Sequence, residues 1–283
     1  MSPSGLHAMA YQEWGDPANP DVVVCVHGLT RTSDDFSVIA QALSSRYRVV
    51  APDVVGRGRS GRLKDPLHYG VAQYASDMVA LIARLNVPTV KWIGTSMGGL
   101  IGMALAALKE SPIERLVLND VGAVLSGQAL QRIAHYVGEV IEFEDRSQAH
   151  AALRKIYAGF GPHTEAEWEQ ILDSVLLPVQ GSAKLRLHYD PGIAAPFKAA
   201  YAAGAQGQAP ADLELWPVYD AIACPTLLIR GKESDLVSAE VFQAMQQRGP
   251  RAQGLEFAGV GHAPTLMHVD QIRPIEAFLA RQG

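Results

Sequence analysis

The sequence has 283 residues, enough for one large α/β domain or for a core carrying a modest insertion. Its 24 Lys and Arg against 29 Asp and Glu leave a net charge of −5, and the basic residues are scattered, which argues against nucleic acid as a partner. No apolar run approaches the roughly 18 residues of a membrane span, and the opening MSPSGLHAMAYQEWGDP lacks a basic segment followed by an apolar one, so a cytoplasmic location with no membrane contact is expected.

Short β-rich runs alternate with helical patterns, the sign of a mostly parallel, doubly wound α/β sheet wrapped by helices. The expected strands are 22–27 (VVVCVH), 47–53 (YRVVAPD), 90–94 (VKWIG), 115–120 (RLVLND), 225–231 (PTLLIRG) and 254–259 (GLEFAG). Most are continuous apolar runs, as strands buried on both faces should be. Tyr74, Met78, Leu81, Ile82 and Leu85 recur at helical spacing, as do Met97, Ile101, Ala104, Leu105 and Leu108. Cys25 falls inside the first run and Cys224 just before a later one; two cysteines make no disulfide framework, and both are expected as free thiols.

From about 122 to 212 the alternation stops. Three helix-like segments follow one another without a convincing strand: Leu130, Ile133, Ala134, Val137 and Ile141 mark the first, and Leu153, Ile156, Tyr157 and Phe160 the second. The third opens with Thr164 and Glu167 at capping-box spacing. A helical block between strands predicts an inserted cap over 122–212 on a core made of 1–121 and 213–283, with the Ala/Gly/Gln-rich 199–212 as a flexible return.

Gly94, Ser96 and Gly98 form G-x-S-x-G between a strand and a helix, where a sharp turn exposes the hydroxyl at the carboxyl edge of the sheet. A serine nucleophile needs a base oriented by a carboxylate. His262 follows the last expected strand, and Asp235 follows the strand 225–231, so the order Ser96, Asp235, His262 suits a nucleophile elbow on an open α/β sheet. Asp120, at the end of LVLND, is the alternative acid, whereas Glu233 is expected to be a solvated loop charge. Developing negative charge on an attacked carbonyl needs two backbone N–H donors. Met97, at the start of the helix, and Leu29, after His27-Gly28, are placed to supply them.

The run Gly56-Arg57-Gly58-Arg59-Ser60-Gly61 satisfies G-x-G-x-x-G, but the polar, proline-containing RLKDPLHYG that follows is no helix opening on a pyrophosphate, and no nucleotide is expected. Arg57 and Arg59 are expected to be solvated or paired with acids. The remaining histidines show no metal spacing, and His188 and Tyr189 are expected to be structural.

These motifs together, His27-Gly28-Leu29, Asp53 with the turn 56–60, Gly94 to Gly99, Asp235 and Gly261-His262, resemble the α/β-hydrolase fold superfamily in its capped branch, over essentially the whole chain. The resemblance implies Ser96 as nucleophile, His262 as base and then acid, Asp235 as orienter, Leu29 and Met97 as the oxyanion hole, and Asp53 as a pin for the 56–60 loop. It also implies a small-molecule substrate and no cofactor or metal. Serine at the elbow argues against the dehalogenases and epoxide hydrolases of this fold, which carry aspartate there. The expected activity is hydrolysis of an ester or lactone of a small to medium, largely uncharged compound. The alternatives are cleavage of a carbon–carbon bond in a vinylogous diketone and a ligand-binding receptor with little turnover.

Overall fold

In the computed structural model, which describes residues 1–202 and 211–281, each expected strand is present to within a few residues. In chain order the first half contains β1 (Tyr11–Trp14), β2 (Val22–Val26), α1 (Ser37–Leu43), β3 (Arg48–Pro52), α2 (Val71–Leu85), β4 (Val90–Thr95), α3 (Met97–Ala106) and β5 (Ile113–Asn119). The middle segment contains β6 (Val124–Leu125), α4 (Gly127–Tyr136), β7 (Glu142–Phe143), α5 (Arg146–Ile156), α6 (Glu165–Asp173), β8 (Leu176–Pro178), β9 (Leu185–Leu187), α7 (Ala195–Ala202) and β10 (Leu213–Glu214). The chain then closes with α8 (Trp216–Asp220), β11 (Thr226–Gly231), α9 (Ala239–Met245), β12 (Gln253–Phe257) and α10 (Val269–Leu279).

The main sheet has seven strands in the order β1-β3-β2-β4-β5-β11-β12. β1 runs antiparallel to β3, and the other pairs are parallel. Because side chains alternate across a strand, Val24, Val26, Trp92, Leu116 and Leu228 pack into the core on one face. Val23, Cys25, Ile93, Val117, Leu227 and Ile229 pack against α1 and α10 on the other. Burial on both faces explains why these strands are apolar without interruption. Cys25 and Cys224 are free thiols, and burial pushes both up from the usual thiol range, Cys224 to about 11.

Between β5 and β11 the chain makes an excursion over the carboxyl edge of the sheet, and its outgoing and returning strands β6 and β10 pair antiparallel at the neck. We refer to the part beyond this neck as the cap. It is not purely helical: β7, β9 and β8 form a small antiparallel sheet. Strands of two or three residues carry too little alternation to show as a pattern. The first cap helix also ends earlier than the apolar spacing implies. Val137 is extended and Gly138 has φ +85°, a backbone that a glycine adopts without strain and that stops the helix before Ile141. The Thr164–Glu167 capping box forms as expected. Ala149, Leu153, Ile171, Leu172 and Val175 make a core of the cap's own. Most of the 199–212 return lies outside the described residues.

Candidate active site

β4 runs into α3 through Ser96, whose φ of 51° and ψ of −114° lie in a region that a non-glycine residue enters only under strain. The flanking glycines make that turn feasible. A Cβ on Gly94 would lie 2.3 Å from the Gly98 carbonyl oxygen, and one on Gly98 would lie 1.9 Å from that of Val26. The turn is held from both sides: the Ser96 N–H donates to the Asn119 carbonyl at 2.9 Å, and Trp92 Nε1 donates to that of Gly98 at 3.0 Å. The Ser96 hydroxyl is left facing the loop after β12.

That loop brings His262 over the elbow. Its Nε2 lies 3.0 Å from Ser96 Oγ, and its Nδ1 lies 2.6 Å from Oδ2 of Asp120. An ionised carboxylate only accepts, so Nδ1 carries the proton and Nε2 is free to accept from the serine hydroxyl. The structure therefore corrects the expected acid: Asp120, not Asp235, meets the histidine. Asp120 follows β5, has a side chain 0% exposed, and also accepts the Gly231 N–H at 3.1 Å and the Ser234 hydroxyl at 2.7 Å. Asp235 is 53% exposed and paired with Arg132 of α4 at the cavity rim. The physical reason lies in the loop after β11. Leu236 and Val237 are buried and Ser234 bonds inward, so the intervening Asp235 is turned outward.

Glu233, expected as a solvated charge, is exposed but has a structural task. Its carboxylate accepts the N–H groups of Gly259 and Val260 at 3.0 and 2.8 Å and so ties down the loop that carries His262. Those bonds, together with the nearby Lys232, outweigh the slight desolvation and hold it below the usual carboxylate range. Asn119 fastens the other side of the loop, its Nδ2 donating to the Pro264 carbonyl at 2.8 Å and to Thr95 Oγ1 at 3.0 Å. The roles of Ser234 and Asn119 had no sequence signal, because neither belongs to a motif.

The loop His27-Gly28-Leu29 lies beside the elbow, with a Cβ on Gly28 only 3.9 Å from that of Ser96. His27 is fully buried. It accepts the Val54 N–H at Nε2 (2.9 Å), so its Nδ1–H donates to the Gly28 carbonyl (2.7 Å). Burial lowers its basicity and keeps it neutral, against the opposing pull of Asp53. Neither the Leu29 nor the Met97 N–H has a backbone acceptor among the described residues.

Asp53, wholly buried, pins the following loop by accepting the Ser33 and Arg59 N–H groups at 2.8 and 2.9 Å. Burial pushes its carboxyl up, but the Ser33 and Arg59 N–H donors and the Ser33 hydroxyl hold the group below the usual range. Arg59 pairs with Asp53 as expected. Arg57 departs from expectation: it is 1% exposed, and among the described residues no carboxylate is one of its hydrogen-bond partners. His188 and Tyr189 serve the same loop from the cap side, the His188 carbonyl accepting the Gly58 N–H at 3.0 Å.

Ser96 and His262 open into a cavity of about 390 Å³ between the cap and the sheet edge, bounded by Leu29, Arg31, Ile133, Tyr157, Phe160 and Met267. Its cap wall is tied to the core. The buried Arg31 stacks under Tyr157 and donates to the Ile171 carbonyl at 3.0 Å, and the Gly261 N–H donates to the Gly159 carbonyl at 2.6 Å. Among the described residues no cluster of three or more His, Cys, Asp and Glu side chains is placed to hold a metal ion. No helix of the described residues is long and apolar enough to cross a membrane.

Comparison with known proteins supports the fold. The chain is 51% identical over 275 residues to the 3-hydroxybutyrate-oligomer hydrolase of Cupriavidus necator, covering 96% of this chain and 92% of that one. It is 28% identical to the pimeloyl-[acyl-carrier protein] methyl ester esterase of Xanthomonas oryzae pv. oryzae, across 91% of this chain and 94% of that one. The crystal structure of an α/β hydrolase from Novosphingobium aromaticivorans superposes with a TM-score of 0.86 at 35% identity, covering 100% of this chain and 96% of that one. The model of the alpha/beta hydrolase fold family matches residues 21–268. With its mostly parallel sheet and strained serine elbow, the chain belongs to the α/β-hydrolase fold family and is a hydrolase.

Proposed function

We propose that this hydrolase is a serine esterase that cleaves short oligoesters of hydroxy acids of the 3-hydroxybutyrate type, through an acyl-enzyme on Ser96. The observation that carries the reaction type is the continuous hydrogen-bonded line from Ser96 Oγ through His262 to the buried Asp120, opening on a cavity of about 390 Å³. Such a volume is in the range of small-molecule sites. The 51% identity to the Cupriavidus necator enzyme, over nearly the full length of both chains, supports the substrate class.

In this mechanism Ser96 Oγ attacks the ester carbonyl while His262 Nε2 takes the hydroxyl proton. The imidazolium that forms is stabilised by Asp120, whose other contacts keep it aligned. The carbonyl oxygen, now negative, faces the N–H groups of Leu29 and Met97; removing one such donor typically costs about 2.7–4 kcal/mol of barrier stabilisation. The ester C–O bond breaks, His262 gives its proton to the departing hydroxyl of the next unit, and then takes a proton from the water that attacks the acyl-enzyme. The acyl bond to Ser96 then breaks as His262 returns that proton to Oγ, so each cycle splits one ester into the acid freed from Ser96 and the hydroxyl end of the rest of the oligomer.

The test is turnover of the dimer and trimer of 3-hydroxybutyrate beside p-nitrophenyl esters of graded chain length and a vinylogous diketone. Release of monomeric acid with the highest kcat/KM for the oligomers is the expected result. Cleavage of the diketone alone would exclude the esterase reading. Turnover of simple esters without the oligomers would keep the reaction type and remove the substrate class.

A further inference from the structure

We propose that Arg57 is a positioning residue for the oxyanion site, holding in place the two residues expected to supply its N–H donors and setting a buried positive charge behind them. The proposal rests on the reading of Ser96 as nucleophile given above. Arg57 lies between Gly56 and Gly58, in the run that has the letters of a nucleotide-binding motif and a different task.

The guanidinium spends its donors on this one corner of the molecule. Nε donates to the Leu29 carbonyl at 2.8 Å, and Nη2 reaches Met97 Sδ at 3.5 Å. Nη1 donates to the Val55 carbonyl at 2.8 Å and to the Tyr74 hydroxyl at 3.0 Å. One side chain thus touches both Leu29, on the loop after β2, and Met97, the first residue of α3. The two loops also pack on each other directly at Gly28 and Ser96, and Arg57 adds a polar tie between them that bears on the spacing of the two N–H groups.

A guanidinium stays protonated under all working conditions, and a fully buried one ordinarily has a carboxylate partner. The buried Arg31 and Arg230 have theirs, Asp35 and Glu256. Arg57 has carbonyls, a phenol, a thioether and the ring faces of Tyr69 and Tyr74, with its carbon 5.8 and 5.0 Å from the ring centroids. Its charge is therefore not cancelled by direct contact, and in a site of low dielectric it is felt by an oxyanion forming on the far side of Leu29 and Met97. Gly56 explains how so large a side chain fits: a Cβ there would lie 2.7 Å from the Tyr69 ring that covers Arg57.

The probe is a fluorophosphonate, which needs no knowledge of the natural substrate. Ser96 Oγ forms a bond to phosphorus, fluoride leaves, His262 takes the serine proton, and the phosphoryl oxygen gains negative charge at the oxyanion site. Arg57→Met, close in volume and uncharged, is expected to slow inactivation about 10- to 100-fold and to lower kcat on p-nitrophenyl butyrate by a similar factor, with KM within about threefold. Arg57→Lys restores the charge without the fork and is expected to fall between the two. A residue that merely held the loop up would shift KM and thermal stability along with kcat, and lysine would not rescue it. Folded Arg57→Met inactivated at the wild-type rate would overturn the proposal. Should that variant fail to fold, Arg57→Lys decides, since a wild-type rate there removes the positioning role. A wild-type protein inert to the probe would instead sink the serine esterase reading, and this inference with it.

Discussion

The loops after β5 and β11 each carry an aspartate at the carboxyl edge of the sheet, and they put it to different uses. Asp120 is withdrawn from water, receives an N–H, a hydroxyl and an imidazole, and has φ 51°, a strained backbone that its hydrogen bonds hold in place. Asp235 is half in solvent and makes one ion pair with Arg132 across the cavity rim. An exposed pair of this kind contributes about 0.2–1 kcal/mol and weakens in salt. The two positions are neighbours in the sheet, since β5 pairs with β11. The loop after β11 contributes Ser234, whose hydroxyl bonds to the Asp120 carboxylate.

That contrast can be broken in several places. The largest effect is expected from Ser96→Ala, which should cut turnover about 10⁴-fold or more while leaving the fold intact, measured as kcat on the best ester beside a thermal melt. Ser234→Ala removes one donor from the Asp120 carboxylate and is expected to lower kcat about 3- to 30-fold with little change in KM; an unchanged kcat would make the Ser234 contact incidental.

Acidification acts on the scaffold. Burial lowers the basicity of His27, His163 and His188 below the ordinary 6.5. The unfolded chain then binds protons that the folded chain refuses, so stability should fall as the pH drops below about 6.5. Asp53, held below its ordinary 3.8, acts in the same direction, because the unfolded chain again takes up the proton first, but its contribution is lost only as the pH falls below about that value. Melting temperatures at pH 8, 7, 6 and 5 should therefore be level at the upper end and decline below 6.5. A rise on acidification would contradict the lowered basicity of these imidazoles. The smallest effect belongs to the rim: Arg132→Ala should leave kcat within about threefold and stability within about 1 kcal/mol.

Much of this molecule was legible in its residues. The strands declared themselves because burial on both faces leaves them uniformly apolar, and the elbow because only glycines fit around a strained serine. β1 escaped notice, since YQEW is an edge strand of mixed polarity whose pairing depends on β3. The cap sheet was hidden by the shortness of its strands. The acid was ambiguous for a different reason: both aspartates follow strands, and what separates them is whether the side chain points in or out. That is decided by Leu236 and Val237 seeking the core and by Ser234 turning toward Asp120. Arg57 was misjudged because charge is ordinarily a surface property, and its burial rests on partners from distant segments, the Leu29 carbonyl, the Tyr74 hydroxyl and the Met97 sulfur.

That Ser96, His262 and Asp120 act together is tested most directly by a pair of isosteric substitutions assayed side by side. Asp120→Asn should lower kcat about 10³- to 10⁴-fold, because an amide can no longer hold His262 in the tautomer that accepts the serine proton or stabilise its cation. Asp235→Asn should keep kcat within about threefold of the parent. Loss of turnover in Asp235→Asn with retention in Asp120→Asn would contradict the assignment and return the acid to the loop after β11.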